Sequence, residues 1–190
     1  IQQNNDLFLC RYKTNKHGDK NKITTDLSHP IINCSRGLIL DKSTSRIVCY
    51  PLEKSMSIHD FFDIPFHKLI FEDSIDGTQI NLFYYKNQWR ISTTGCIDAF
   101  DSYWKSNYSF GNLFVDEFFK TSDIRYLETQ YCYSFILCHP DNNNVVQHKM
   151  PKLYHIMTRN VRNFIKYDID INVAKPNRRY FDDINDLWNY

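Results

Sequence analysis

The chain has 190 residues, of which 42% are hydrophobic and 16% aromatic, and its formal net charge is +1. This length is enough to bury a core, so we expect one folded domain over residues 1–190. The near-neutral charge excludes nucleic-acid binding through bulk charge, so any RNA-binding face must be a local basic patch. No apolar stretch reaches the roughly 18 residues that a membrane span needs, so no membrane partner is expected.

The six cysteines are scattered and include no C-x-x-C pair: Cys10, Cys34, Cys49, Cys96, Cys132 and Cys138. Without paired histidines nearby, they give weak support for a metal site or a disulfide scaffold. We expect neither a metal nor a cofactor. The chain begins without the basic and apolar segments of a secretory signal. These features predict reduced, mostly buried thiols in a cytoplasmic protein.

The first half of the chain predicts two β-hairpins. Two polar segments, residues 1–5 and 14–22, are expected to be loose. Apolar runs separated by short polar turns are typical of paired strands. The strands are predicted over residues 37–41, 46–50, 78–85 and 88–94. Lys86-Asn87 forms the turn of the second hairpin, and Asp76-Gly77 precedes it.

The second half predicts two helices and two further strands. Apolar residues at helical spacing predict a helix over 110–119, and an Asp-rich first turn predicts another over 181–188. A strand over 131–138 is ended by Pro140, because proline cannot donate a hydrogen bond to a neighbouring strand. A further strand is predicted over 152–159. The fold class is therefore α+β, with antiparallel sheets and flanking helices.

Three collinear stretches carry short motifs: Ser35 to Leu40 continued by Tyr50 to Met56, then Phe71 to Thr78, then Phe135 to Val146. In this order they resemble the RNA ligase family of the T-even bacteriophages, and the resemblance covers about residues 35–160. The second stretch corresponds to the K-x-D-G motif that accepts a nucleotide in that family. The resemblance implies an adenylyltransferase fold in which two antiparallel sheets form a nucleotide-binding cleft.

The chain departs from the family's pattern at the catalytic positions. Ser74 stands where the family has its nucleophilic lysine, and Ile136 stands where it has a glutamate. A serine hydroxyl has a far higher pKa than a lysine amine, and no general base is evident beside it. Further departures are Met56, where the family has an aromatic residue, Ser92 and Thr94, where it has lysines, and Asn160, where it has an acid. The E-G-x-V strand and the terminal K-x-K pair are also not found before Tyr190. The resemblance therefore implies no catalytic residue, and we expect a pseudoenzyme rather than an enzyme.

Several polar and glycine residues of the family pattern remain, and these are the candidate nucleotide- or phosphate-binding residues. They are Arg36, Lys54, Asp76, Gly77 and Arg159. Arginine and lysine suit phosphate because their hydrogen bonds to it are charge-assisted. Asp76-Gly77 has an alternative interpretation as a simple turn leading into a strand. Arg159 has one as a surface salt-bridge partner.

Three functions are consistent with these features. The first is binding of RNA, such as tRNA or broken RNA ends, without sealing it. The second is an immunity or inhibitor protein that acts against an RNA-damaging toxin by binding protein or RNA. The third is an active ATP-dependent RNA ligase with unusual catalytic groups. The expected partner is therefore RNA or a toxin protein, with the oligomeric state left open. Abundant Asn and Ile with only two Ala indicate an A/T-rich genetic element.

Overall fold

The computed structural model describes residues 2–4, 6–12, 30–55, 64–104, 107–142 and 145–190. Its first sheet contains four antiparallel strands. The strands, in spatial order, are β1 (Gln2–Gln3), β2 (Leu7–Arg11), β3 (Arg36–Asp41) and β4 (Ile47–Cys49). The pair β3–β4 confirms the first predicted hairpin.

Strand β1 corrects the expectation that residues 1–5 are loose. The backbone of β1 pairs with β2, and the Gln2 side-chain oxygen accepts a 2.9 Å hydrogen bond from the Ile97 backbone nitrogen. Two polar glutamines carry no local strand signal. Pairing with β2, a few residues further along the chain, and the distant contacts of Gln2 with Cys96 and Ile97 hold them in place. The other segment predicted to be loose, residues 14–22, lies outside the described residues.

The second sheet has five antiparallel strands, and a short ribbon lies apart from it. In chain order the strands are β5 (Phe71–Glu72), β6 (Thr78–Tyr85), β7 (Gln88–Thr93), β8 (Tyr131–Cys138), β9 (Lys152–Asn160), β10 (Lys166–Tyr167) and β11 (Arg178–Arg179). The order across the sheet is β10-β9-β8-β6-β7, while β5 pairs with β11 alone. All three long strands and the hairpin β6–β7 agree with the sequence-based expectation.

The turn of the β6–β7 hairpin explains why it could be located from the sequence. Lys86 and Asn87 have φ angles of 48° and 62°, so both adopt the left-handed conformation. Two-residue hairpin turns of this kind match the right-handed twist of the flanking strands. Tyr85 therefore pairs directly with Gln88.

Helices cover a small part of the described residues. They are α1 (Pro30–Cys34), α2 (Phe110–Phe118) and α3 (Ile184–Trp188), with 3₁₀ turns at 66–68, 99–101 and 124–126. Ser109 caps α2 by accepting a hydrogen bond from the Asn112 backbone nitrogen. Helix α3 begins three residues later than predicted, because Asp183 caps it through the Asn185 and Asp186 nitrogens.

Two apolar cores hold these elements together. One lies between α2 and the outer face of the second sheet and includes Phe114 and Phe135, whose ring centroids are 5.1 Å apart. The other lies between the two sheets and consists of Leu7, Leu9, Ile39, Cys49, Phe83, Tyr85, Ile97 and Cys132. The architecture is α+β with antiparallel sheets, as the sequence predicted. No helix within the described ranges is long and apolar enough to cross a membrane.

Candidate functional site

A buried polar floor lies on the face of the second sheet that is turned toward the first sheet. It consists of Gln79, Asn81, Ser92 and Ser134. Asn81 pairs across the sheet with both Ser92 and Ser134, so these three side chains share one face. They share it with Phe83 and Cys132, because alternate residues of a strand point to the same side.

The hydrogen bonds of the polar floor are incomplete. The Asn81 Oδ1 atom accepts hydrogen bonds from Gln79 Nε2 at 3.2 Å and from Ser134 Oγ at 3.0 Å. Among the described residues, Asn81 Nδ2 has no hydrogen-bonding partner, and Ser92 Oγ has only the Cys49 thiol beside it, although Asn81 and Ser92 are both 0% exposed. Buried polar groups are nearly always paired, so Asn81 Nδ2 is a candidate contact for water or for a polar group of a ligand.

Arg159 lies at one side of this floor and binds the segment that follows β4. Its Nη2 atom donates to Glu53 Oε1 at 2.5 Å, and its Nη1 atom donates to the Pro51 carbonyl at 3.3 Å. The guanidinium carbon stands 3.9 Å from the centroid of the Tyr50 ring. The Arg159 side chain is 1% exposed, and its Nε has no partner among the described residues. Arg159 thus joins the second sheet to the segment after β4, and its Nε donor is unpaired within the described part of the chain.

Glu53 is held by two cations. Besides Arg159, Lys166 on β10 places its Nζ atom 3.2 Å from Glu53 Oε2. Burial acts to raise the pKa of Glu53, but a backbone hydrogen bond and the charges of Arg159 and Lys166 outweigh it and lower the pKa. Glu53 is therefore a carboxylate near neutral pH. Glu53 was not predicted as a site residue, because no local pattern distinguishes it from a surface glutamate.

Arg36 and Lys54 lie on the side of the first sheet. Neither side chain forms an ion pair with a described carboxylate, and both are half-buried. The Lys54 backbone nitrogen donates to the Asn33 carbonyl at 3.0 Å. Next to Arg36, Gly37 has φ +89°, and a Cβ there would come within 2.9 Å of Thr94 Cα. This close approach brings the start of β3 to the end of β7.

The Asp76-Gly77 segment packs against β8 and the loop that follows it. Asp76 Oδ2 accepts a 2.7 Å hydrogen bond from the Val146 backbone nitrogen, and His148 Nε2 lies 2.7 Å from the Asp76 carbonyl oxygen. A Cβ on Gly77 would lie 2.5 Å from Ile136 Cγ2, so only glycine fits at this position. Ser74 is exposed two residues earlier. The structure thus brings Asp76, Gly77 and Ile136 together.

Asn142 extends this region toward β6. Its Nδ2 atom donates to Thr78 Oγ1 at 3.3 Å, while its buried Oδ1 atom has no partner in the described parts of the chain. From the sequence, Asn142 was interpreted as part of a motif and of a simple loop, and Asn81 was not singled out. The alternation of β6 could have indicated Asn81, because residues 79, 81, 83 and 85 share one face. Met56, another position named from the sequence, lies outside the described residues.

Comparison with known proteins connects this chain to RNA ligases. No family model matches the chain. An RNA ligase of Rhodothermus phage RM378 is 32% identical to it in an alignment of 121 residues that covers 58% of this chain and 27% of that protein. The chain therefore spans about a quarter of the length of this relative. The match establishes a distant and partial RNA-ligase-like relationship.

This comparison corrects one expectation. The departures at Ser74 and Ile136 predicted a chain that is not an enzyme, but the relative it matches is an RNA ligase, which is an enzyme. The prediction was wrong because it rested on single positions. A catalytic site draws its groups from several segments of the chain, so the replacement of individual side chains does not exclude the remaining groups.

Proposed function

We propose that this chain is a nucleotidyltransferase-type domain resembling the T-even RNA ligases, and that the cleft between its two sheets binds RNA, such as tRNA or broken RNA ends. The observation that carries this proposal is the buried polar floor, where Asn81 Nδ2 has no partner among the residues that the structure describes. The relationship to an RNA ligase supports RNA as the ligand.

Charge in the cleft suits a nucleic-acid backbone. We assign Arg36 and Lys54 to the rim of the cleft; neither pairs with a carboxylate among the described residues, so both charges remain available to phosphate oxygens. Arg159 offers its unpartnered Nε and keeps Tyr50 and Glu53 in place. In this proposal Asp76 and Gly77, which lie against β8, form one wall of the cleft. In this arrangement a base or ribose of the RNA contacts the polar floor, and a phosphate contacts Arg36 and Lys54 at the rim of the cleft.

The test is RNA binding by a cleft variant and by a matched control. The double variant Arg36→Gln and Lys54→Gln is expected to weaken binding of labelled tRNA or nicked RNA at least tenfold, about 1.4 kcal/mol. The control, Lys120→Gln and Arg125→Gln, removes the same charge from exposed positions near the end of α2 and is expected to change affinity less than twofold. Equal losses in the two variants would overturn binding in the cleft.

Salt dependence provides a second measurement on the unmodified chain. Two or three phosphate contacts predict a slope of log affinity against log salt of roughly −1.4 to −2.7, at about 0.7 to 0.9 per contact. A slope several times steeper would place the RNA on a larger basic surface than the cleft offers.

An active ATP-dependent RNA ligase with unusual catalytic groups is a second candidate function, favoured by the match to a phage RNA ligase. Its test is incubation with labelled ATP, Mg²⁺ and 5′-phosphorylated RNA. A covalently labelled protein band or a sealed RNA product supports it, and the absence of both in a preparation that binds RNA counts against it. The toxin-immunity hypothesis stays a prediction.

A further inference from the structure

Two cysteines meet across the boundary between the sheets. Cys49 ends β4 in the first sheet, and Cys132 lies in β8 in the second. Their Sγ atoms are 3.3 Å apart, and both residues are 0% exposed. No other pair of thiols comes into contact among the described cysteines: Cys10, Cys34, Cys96 and Cys138 are also free, and the nearest partner of Cys34 is the Tyr50 hydroxyl at 2.8 Å.

The two thiols need only a small movement to bond. A disulfide has sulfur atoms about 2.05 Å apart, so the present separation must close by about 1.2 Å. Backbone adjustment of that size lies within the reach of two packed strands. The bond would join residues that are 83 positions apart in the chain. Such a long loop is the case in which a crosslink restricts the unfolded chain most.

We propose that Cys49 and Cys132 are an oxidation site, and that a two-electron oxidant of the peroxide class converts them to a disulfide that joins the two sheets. Each thiol gives up one proton and one electron, and the two sulfurs form the new bond. One hydrogen peroxide molecule accepts the two electrons and two protons and leaves as two water molecules. Reduction by a dithiol reverses the step.

Burial makes the reaction slow. Burial is the main cause that raises the pKa of the Cys49 thiol and the neighbouring Cys132 adds to it, while a hydrogen bond with Ser92 and then the charge of Arg159 oppose it. The reactive thiolate is therefore scarce while the core stays closed. Oxidation must wait for local opening of the core, so its rate is expected to rise in urea concentrations well below the unfolding midpoint.

The disulfide also has a consequence for the cleft, and this part rests on the proposed function. Ser92 of the polar floor lies on the same sheet face as Cys132. Drawing β4 toward β8 narrows the space above that floor. We therefore expect the oxidised protein to bind RNA at least threefold more weakly than the reduced protein.

The experiment uses the full chain with its natural cysteines. The protein is incubated with hydrogen peroxide, alkylated and digested without reductant, and the peptides are mapped by mass spectrometry. The expected product is a Cys49–Cys132 linked peptide about 2 Da lighter than the two thiol peptides together. The oxidised protein should melt roughly 5–15 °C higher than the reduced form, and dithiothreitol should abolish the difference.

Variants and controls define the outcomes. Cys132→Ala should abolish the linked peptide and the rise in melting temperature, whereas Cys138→Ala, which removes another buried thiol, should keep both. Absence of the linked peptide after prolonged oxidation in urea below the unfolding midpoint, under conditions that fully oxidise the half-buried Cys10, overturns the oxidation site. An unchanged melting temperature in the linked protein also overturns it. Equal RNA affinity in the two redox forms overturns the effect on the cleft alone. RNA binding by neither form overturns the proposed function and leaves the oxidation site standing.

Discussion

Arg159 on β9 donates a 2.5 Å hydrogen bond to Glu53, which follows β4, although the two residues are 106 positions apart in the chain. The pair joins the second sheet to the segment that also carries Lys54. Because the guanidinium is almost fully buried while part of Glu53 reaches solvent, the pair combines a desolvated cation with a partly hydrated anion. Removing either residue leaves the charge of the other without its partner, and this lowers the free energy of unfolding.

Arg159→Met is expected to lower the free energy of unfolding by about 2–3 kcal/mol. Fully buried pairs cost about 3–5 kcal/mol when broken, and Glu53 retains Lys166 and some solvent, so the lower figure applies. Urea denaturation measures it. Arg178→Met is the control, because its pairs with Glu72 and Asp168 are exposed and should contribute less than about 1 kcal/mol. Equal effects of the two changes would contradict a structural role for Arg159.

Gly77→Ala is expected to destabilise the protein by about 1–3 kcal/mol, because the new Cβ would meet both Ile136 Cγ2 at 2.5 Å and the Leu137 carbonyl at 2.7 Å. Gly95→Ala is the matched control, since its Cβ would meet only the flexible end of Arg11 at 3.3 Å. Thermal or urea unfolding compares the two. Adding Ile136→Ala should recover part of the Gly77→Ala loss, and no recovery would place the strain at the Leu137 backbone.

The stability of the protein is expected to fall as the pH drops from 7 to 5. Burial, followed by the charge of Lys175, lowers the pKa of His155 to about 4, while Asp168 and Asp170 act in the opposite direction. The unfolded chain takes up a proton near pH 6.5 and the folded chain does not, so folding opposes protonation between about pH 6.5 and 4. The expected loss by pH 5 is about 2 kcal/mol.

Urea midpoints at pH 7, 6 and 5 measure this dependence. His155→Gln cannot titrate, so its unfolding free energy should stay nearly constant over the same range. Carboxyl groups whose pKa is lowered in the folded protein, such as Glu53, change the unfolding free energy below this pH range, where the unfolded carboxylates begin to protonate. A variant with the same slope as the natural chain would assign the pH dependence to another group.

Two serines of the polar floor should behave differently when each is replaced by alanine. Ser134 donates a buried hydrogen bond to Asn81, so Ser134→Ala is expected to cost about 1–2 kcal/mol. Ser92 Oγ has only the weakly hydrogen-bonding Cys49 thiol beside it among the described residues, so Ser92→Ala should change stability by less than about 0.5 kcal/mol or stabilise the protein. Ser92→Ala should nevertheless weaken RNA binding, and intact affinity would show that this hydroxyl does not contact the ligand.

The sequence by itself determined the elements whose causes are local. The Lys86-Asn87 turn, the alternation along β6 and the Ser109 cap of α2 act within a few residues, so the β6–β7 hairpin and α2 could be located before the fold was known. The same reasoning failed at β1 and at the start of α3. At β1, pairing with β2 and the distant contact between Gln2 and Ile97 decided the outcome, and at α3 the capping carboxylate of Asp183 did.

For the candidate site, the sequence determined which residue types are present but not how they pair. The family resemblance identified Arg36, Lys54 and Arg159 as cations, yet only the packing of the two sheets placed Glu53 against Arg159. The contact between Cys49 and Cys132 depends on the same packing. Both pairs join positions about a hundred residues apart, and no local backbone preference acts over that separation. Burial between the sheets brings such side chains together.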